Sequence, residues 1–389
     1  MERDGNTMEL FCVKPTVHYL ESFHAFTEEF ALAETDLILT ERVIYDRALV
    51  GEKGLKAHVI LKDDYDPAEP KEETVDAILK DMEGLSAERI IAIGGGSVID
   101  IAKLLCVKDA YPIGQIIRRE RDIRLDKTLI AVPTTCGTGS EVTYGGVVTM
   151  RSTGYKTALI DPALTANHAV LIPELLYSLP DRVFFHCAVD ALGHAMESYV
   201  SRTRGNEMAR AVGARAVKLI TEGCAGWLLA GGSREVRNRL TSQFLTASCL
   251  GGMAVNNGGA GPVHALAYPV GEVYHMSHGE SIYQFLPEVF LHYERTADSP
   301  LLAELRDIIR PALAPAGIQA PSVFQGLEEL MNAVCPARPL RACGMTENDV
   351  EGFVENIFTA KQRLLAASCT EFTRKDAADI YHRRLGGNQ

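Results

Sequence analysis

The segment VDALGHAMES places Asp190 and His194 four residues apart, so on a helix both side chains leave one face. Two readings compete: a carboxylate–histidine pair on a solvated surface, or two ligands of a metal ion. The neighbours Ala188, Val189, Ala191, Leu192 and Ala195 are apolar. An aspartate carried into an apolar setting needs a positive partner, which makes a cation a natural one. Further along, HALAYPVGEVYHMSHGE carries His264, His275 and His278. Two more imidazoles, those of His264 and His278, would complete a set of one carboxylate and three nitrogens. That set suits a borderline ion, Fe(II) or Zn(II), over Mg(II) or Ca(II). Spacing alone leaves open whether residues 190, 194, 264 and 278 converge.

A second chemistry is suggested by IIAIGGGSVIDIAKLL (90–105): a strand-like run, a three-glycine turn and a helical run. Glycines at Gly94, Gly95 and Gly96 let backbone approach a ligand, and the N–H groups at a helix start favour phosphate. Ser97 stands where an N-cap would, with Asp100 three residues on, a capping box with Asp in place of Glu. The pattern is not G-x-G-x-x-G, and alone it is equally a structural turn. The next strand is followed by PTTCGTGSEVT (133–143), glycine and small hydroxyls that offer donors without bulk. Two such loops at consecutive strand ends form the crevice where open α/β sheets bind ligands, so a dinucleotide is the better reading. Lys156, in YKTALID, is a candidate ribose or phosphate partner, with a solvated lysine as the alternative. Glu41 directly follows DLILT. A carboxylate there can bond ribose hydroxyls and repel a 2′-phosphate, favouring NAD over NADP, although acidic residues also suit helix starts.

The elements that must position these residues fall into two textures. DLILT (36–40), AHVIL (57–61), RIIAI (89–93) and TLIAV (128–132) read as buried strands, with amphipathic stretches such as EETVDAILKDMEGL (72–85) between them. Strands alternating with helices predict a mostly parallel sheet covered on both faces. HAVLIPELLYSLP (168–180) reads as a last strand, a short helical piece and a stop. Beyond Pro180, NEMARAVGARAVKLITEGCAGWLLA and REVRNRLTSQFLTASCLGGMAV are alanine- and leucine-rich with helical spacing. We therefore expect an α/β dinucleotide-binding domain over 1–180 and an all-helical metal-binding domain over 181–389.

Composition fits this picture. The chain of 389 residues is 47% hydrophobic and 23% charged with a formal net charge of -12. That balance argues against a nucleic-acid or anionic-membrane partner, either of which needs a basic patch. The nine cysteines include no C-x-x-C pair and read as reduced thiols of a cytoplasmic protein; Cys136 reads as a packing residue. MERDGNTMELF lacks the basic start and apolar core of a signal peptide, and the residues before Met8 read as a polar tail.

Together, GGGSVIDIAK, PTTCGTGSEVT, DALGHAMESYVS and HALAYPVGEVYHMSHGE resemble the iron-containing (group III) alcohol dehydrogenase family, in the right order and across nearly the whole chain. The resemblance implies the dehydroquinate synthase-like architecture of that family: a Rossmann-like α/β domain for NAD(P), then an all-α domain. It implies a metal, Fe(II) with Zn(II) as the alternative, held by Asp190, His194, His264 and His278. It implies that Gly94, Gly95, Gly96 and Ser97 cradle the pyrophosphate, that Thr134, Thr135 and Thr138 lie along the cofactor, and that Lys156 sits near its ribose. Within the family the likeness is greatest to bacterial 4-hydroxybutyrate dehydrogenases, through PVHALAYP, YHMSHGE, RPLRACGM and QRLLAAS.

The implied reaction is hydride transfer between NAD and a primary alcohol or aldehyde, 4-hydroxybutyrate and succinate semialdehyde first. Other short alcohols or diols are the alternative, and a lyase of dehydroquinate synthase type a more distant one. Ser277 replaces a proline common among relatives. Tyr268 stands where many relatives carry a further histidine, which leaves His275 as the candidate proton relay. Arg338 and Arg341 are candidates for gripping a substrate carboxylate, with structural salt bridges as the alternative. A homo-oligomer, in the form of a dimer, is expected.

Overall fold

The computed structural model describes residues 10–52, 54–66, 70–152, 154 and 156–386; the polar tail expected before Met8 lies outside them. Two compact units divide the chain: one spans Val13–Ser178, the other begins at Leu179 and includes the stretch up to Cys12.

The first unit is built on a six-stranded parallel sheet. Its strands are β1 (Thr16–Tyr19), β2 (Asp36–Thr40), β3 (His58–Leu61), β4 (Arg89–Gly94), β5 (Thr128–Pro133) and, after an intervening hairpin, β8 (His168–Leu171), in the order β1-β8-β5-β4-β2-β3. The run Leu37–Leu39, the run Ile90–Ile93 and the run Leu129–Val132 are essentially without exposure. Strands covered on both faces read as continuous apolar runs, and these were legible for that reason. The edge strand β1 is mostly exposed and owes its place to its register on β8, Thr16 opposite His168. The hairpin of β6 (Gly145–Thr149) and β7 (Lys156–Ile160) forms a separate antiparallel pair that the sequence did not announce. Helix α1 (Glu72–Asp81) buries Val75 and Ile78, and α2 (Gly96–Leu105) buries Val98, Ile99, Ile101, Leu104 and Leu105. The helical stretch read as 72–85 ends earlier, before Gly84 at φ +85°.

The second unit is helical; among the described residues no strand follows Leu171. Its first helices are α3 (Asp181–Val200), α4 (Glu207–Leu229), α5 (Arg234–Gly258), α6 (Pro262–Val273) and α7 (His278–Thr296). The side chains of Asn206 and Ser233 cap α4 and α5 by accepting from Ala209 and Val236 N–H, each satisfying a donor the helix start leaves open. The division at Ser178 has a physical reason. Fully buried Arg237 donates to Leu179 O at 2.5 Å and Asp181 Oδ1 at 2.6 Å, binding the segment before α3 to the helices. Residues 10–12 also belong here, against the expected contiguous 1–180 domain. Cys12 N–H donates to Asn257 Oδ1 at 2.6 Å, and Asn257 Nδ2 donates back to Cys12 O at 3.0 Å.

Helix α3 is the axis of this unit, buried along nearly its whole length. Helix α7 begins against it: a Cβ at Gly279 would lie 2.1 Å from His186 O. Only glycine permits that approach, and it sets His278 beside α3 one turn from Asp190. The nine cysteines form no disulfide. No helix among the described residues is long and apolar enough to cross a membrane.

Candidate active site

Asp190 and His194 project from the middle of α3, His264 from the first turn of α6, and His278 opens α7. One donor atom from each lies within 4.8 Å of all the others. The Nε2 atoms of His278, His194 and His264 stand 3.4, 3.7 and 3.8 Å from Asp190 Oδ1. Donors about 2.1 Å from a shared ion in tetrahedral array are separated by about 3.4 Å, so this set is metal-sized. Asp190 Oδ1 and His264 Nε2 are buried and have no hydrogen-bond partner. Orphaned buried polar atoms are costly, and here they aim at one point. The four residues implied by the resemblance do converge.

A further residue completes the centre. Glu197, 2% exposed, lies on α3 seven residues after Asp190. Its Oε2 meets His264 Nδ1 at 2.5 Å, and its Oε1 accepts from Val263 N–H at 2.6 Å. A proton held on Nδ1 leaves Nε2 with its lone pair toward Asp190, the tautomer a metal ligand needs. Sequence reading passed over Glu197, although a third polar residue on the face of Asp190 and His194 was a usable signal.

Charge supports the same conclusion. Burial works to raise the Asp190 pKa, yet the His194, His278 and His264 imidazoles outweigh it and hold the carboxyl below its usual range. Burial works to lower the His264 pKa, and Glu197 with Asp190 outweighs that and raises it. With the imidazoles neutral, as metal ligands must be, the two buried carboxylates of Asp190 and Glu197 carry two negative charges, which one divalent cation balances. Of the four side chains His278 is the one left partly exposed, at 32%, so the cluster is open on that side.

Tyr268 follows His264 by one turn of α6 and lies over His278, ring centroids 5.6 Å apart. Burial pushes its hydroxyl up to about 12, so it keeps its proton at neutral pH. His275 lies exposed in the turn between α6 and α7 at φ +50°, outside the ligand cluster. Ser277 adopts φ -59°, a value proline would impose, so the departure from the family costs no geometry. Arg338 and Arg341 are engaged elsewhere. Arg338 donates through Nε and Nη2 to Glu280, and Arg341 bonds Glu347 and Leu385 O. The salt-bridge alternative is what the structure shows.

In the sheet unit, the two glycine loops leave β4 and β5 side by side, with Gly94 opposite Pro133 in the register. A Cβ at Gly94 would lie 2.5 Å from Val98, and one at Gly96 would lie 2.8 Å from Thr138. Both glycines are therefore required by packing, the second where the loops touch. Gly95 meets only Thr135, at 3.5 Å. The N-cap of α2 is Gly95, which corrects the assignment of Ser97; Ser97 stands in the first turn, among the N–H groups a helix leaves without internal partners.

Asp100 does not cap the helix. It accepts from Ser140 Oγ at 2.6 Å and from Val147 N–H at 3.0 Å. Beside it, Lys103, wholly buried, donates to Ser140 Oγ at 2.8 Å, Thr143 Oγ1 at 3.2 Å and Gly145 O at 2.7 Å. The pair clamps the second loop to α2, a role missed because a lysine near a helix end ordinarily reads as solvated. Thr134 N–H donates to Gly94 O at 3.0 Å. Glu41 sits half-buried just past β2; burial raises its carboxyl pKa and Lys62 opposes the rise. Lys156 opens β7, opposite Thr149. Cys136 is buried, as a packing residue should be.

Residues 20–173 match the iron-containing alcohol dehydrogenase family, and residues 184–385 match the C-terminal region of the Fe-containing alcohol dehydrogenase family. The chain belongs to the iron-containing alcohol dehydrogenase family. Among its relatives is the 4-hydroxybutyrate dehydrogenase of Clostridium kluyveri, 33% identical over 375 residues, covering 96% of this chain and 99% of that one. The long-chain-alcohol dehydrogenase 1 of Geobacillus thermodenitrificans is 29% identical, covering 92% and 89%. The crystal structure of sulfoacetaldehyde reductase from Bifidobacterium kashiwanohense in complex with NAD+ has the same fold, with a TM-score of 0.82 at 20% identity, covering 98% and 100%. Family membership over both segments removes the dehydroquinate synthase-type lyase from consideration. The donor set fits the iron for which the family is named.

Proposed function

We propose that this iron-type alcohol dehydrogenase interconverts 4-hydroxybutyrate and succinate semialdehyde with NAD. The observation that carries the substrate is the match, along nearly the whole of both chains, to the 4-hydroxybutyrate dehydrogenase of Clostridium kluyveri. When bound, the iron supplies Lewis acidity toward the alcohol oxygen, and NAD supplies a two-electron hydride acceptor.

The chain's own residues do the rest. Asp190, His194, His264 and His278 hold the ion, and Glu197 keeps the His264 proton on Nδ1. Gly95 with the first turn of α2, Ser97 included, receives the pyrophosphate. Thr134, Thr135 and Thr138 line the adjoining loop that Lys103 and Asp100 hold in place, with Lys156 toward the ribose near the nicotinamide. Glu41, at the end of β2, accepts from the adenosine ribose hydroxyls, which selects NAD over NADP. Tyr268 retains its hydroxyl proton and donates. The proton leaving the substrate hydroxyl passes toward solvent, and the exposed imidazole of His275 is the relay we assign.

The test is a substrate panel on protein loaded with Fe(II) or Zn(II): 4-hydroxybutyrate, 1-butanol and 1,3-propanediol with NAD, and succinate semialdehyde with NADH. The reading expects the highest kcat/KM for the 4-hydroxybutyrate couple. Higher values for the uncharged alcohols would replace that substrate with a short alcohol or diol.

A further inference from the structure

A dehydrogenase of 4-hydroxybutyrate must hold a carboxylate some distance from the reacting carbon. The two arginines that the sequence offers are committed to Glu280 and Glu347. Elsewhere in the helical unit other cations are committed as well: Arg182 pairs with Glu280, Arg383 with Glu288 and Arg384 with Glu328. One is not. Lys361 stands at the junction of α8 (Glu347–Ala360) and α9 (Gln362–Ala366), half-buried, its backbone N–H donating to Ile357 O at 3.0 Å. Its Nζ lies 4.7 Å from the ring centroid of Tyr268, the ring that stacks on metal ligand His278. Among the described residues no carboxylate forms an ion pair with it. A half-buried ammonium held over an aromatic face beside a metal ligand, without a counter-ion, is a site prepared for an anion.

We propose that Lys361 binds the distal carboxylate of the substrate and so sets the preference for an ω-hydroxy acid over a plain alcohol. The inference rests on the 4-hydroxybutyrate reading above. The ring of Tyr268 fixes the ammonium from one side, leaving its remaining N–H donors for the carboxylate. The positive charge of Arg363, exposed on α9, also reaches Tyr268 and deepens the attraction. The assignment accounts for Tyr268 as well: an aromatic ring can seat a lysine at a position where a protonated imidazole would repel it.

The experiment compares 4-hydroxybutyrate with 1-butanol, in which a methyl group replaces the carboxylate, on metal-loaded wild type, Lys361→Met and Lys361→Arg. Metal content and melting temperature of each variant are measured alongside. Lys361→Met should raise the KM for 4-hydroxybutyrate tenfold or more, leave kcat/KM for 1-butanol within threefold, and keep its metal. Lys361→Arg should recover most of the loss. An unchanged KM for 4-hydroxybutyrate, or an equal loss on both substrates, overturns the inference while the substrate reading stands. A wild type that prefers 1-butanol overturns the substrate reading, and with it the anion that Lys361 is assigned to hold.

Discussion

Replacing Glu197 by Gln isolates what the buried carboxylate does for the metal. Both its oxygens are in use: Oε2 toward His264 Nδ1 at 2.5 Å and Oε1 toward Val263 N–H at 2.6 Å. A glutamine offers one acceptor for those two donors. If its oxygen serves Val263, the amide N–H faces Nδ1, and the imidazole proton moves to Nε2, the ligand atom. If its oxygen serves His264, the Val263 N–H is left unsatisfied, at about 1–3 kcal/mol. In either arrangement the pocket keeps one carboxylate rather than two, so a divalent ion is no longer balanced. Loss of such an outer partner weakens metal binding by about 10- to 100-fold, which corresponds to about 1.4–2.7 kcal/mol. Chelator competition with Zn(II), and with Fe(II) under anaerobic conditions, measures this directly and needs no substrate. Circular dichroism on the same samples establishes that the variant is folded. An affinity within twofold of wild type would refute the argument, since it would mean the Glu197 hydrogen bond does not govern the His264 tautomer.

Substituting His264 or His278 with Ala should abolish turnover and tight metal binding while NAD still binds, as nucleotide fluorescence titration would show; a fully active variant would dismiss the ligand set. Lys103→Met removes the ammonium from beside Asp100 and should cost about 3–5 kcal/mol, the usual penalty for stranding one partner of a buried pair. It should also raise the KM for NAD, and unchanged melting and KM would show that the clamp is idle. Burial pushes the Glu141 carboxyl up from 4.5 to about 7. Because the folded value is the higher one, its contribution to stability is full below about pH 4.5 and is lost as pH rises through about 7, an effect of about 3 kcal/mol. Glu141→Gln should therefore melt higher than wild type at pH 8 and no higher at pH 4.5; a pH-independent difference would count against the shift. His275→Ala should lower kcat tenfold or more with metal content unchanged, and an unaltered rate would remove it as a relay.

How far the sequence could be read follows from which interactions are local. Buried parallel strands announce themselves because both faces are apolar, so RIIAI and TLIAV were legible from composition alone. The edge strand TVHY and the hairpin after Tyr144 were not, since their pairing depends on partners elsewhere and leaves no continuous apolar run. Asp190 and His194 were legible as a pair because one helix sets their geometry. Their convergence with His264 and His278 was supplied only by resemblance, for nothing in the spacing of four residues says that α6 and α7 will start against the middle of α3. The physical reason lies in backbone contact: Gly279 lets α7 abut His186 O, and a glycine before a helical run looks the same whether or not a neighbour is pressed against it.

Charged residues show the opposite limit. Glu197, Lys103 and Glu141 are buried, while their types predict exposure, so a reading by type sets them aside. Two of them sit where the chemistry needs rigidity, one behind a metal ligand and one behind a cofactor loop. Desolvating a charge is affordable only where several fixed partners answer it. A charged residue on an otherwise apolar helix face, with other polar residues one or two turns away, is therefore better read as part of the site than as surface. By that rule the pattern of residues 190, 194 and 197 along α3 identifies the outer carboxylate together with its ligands.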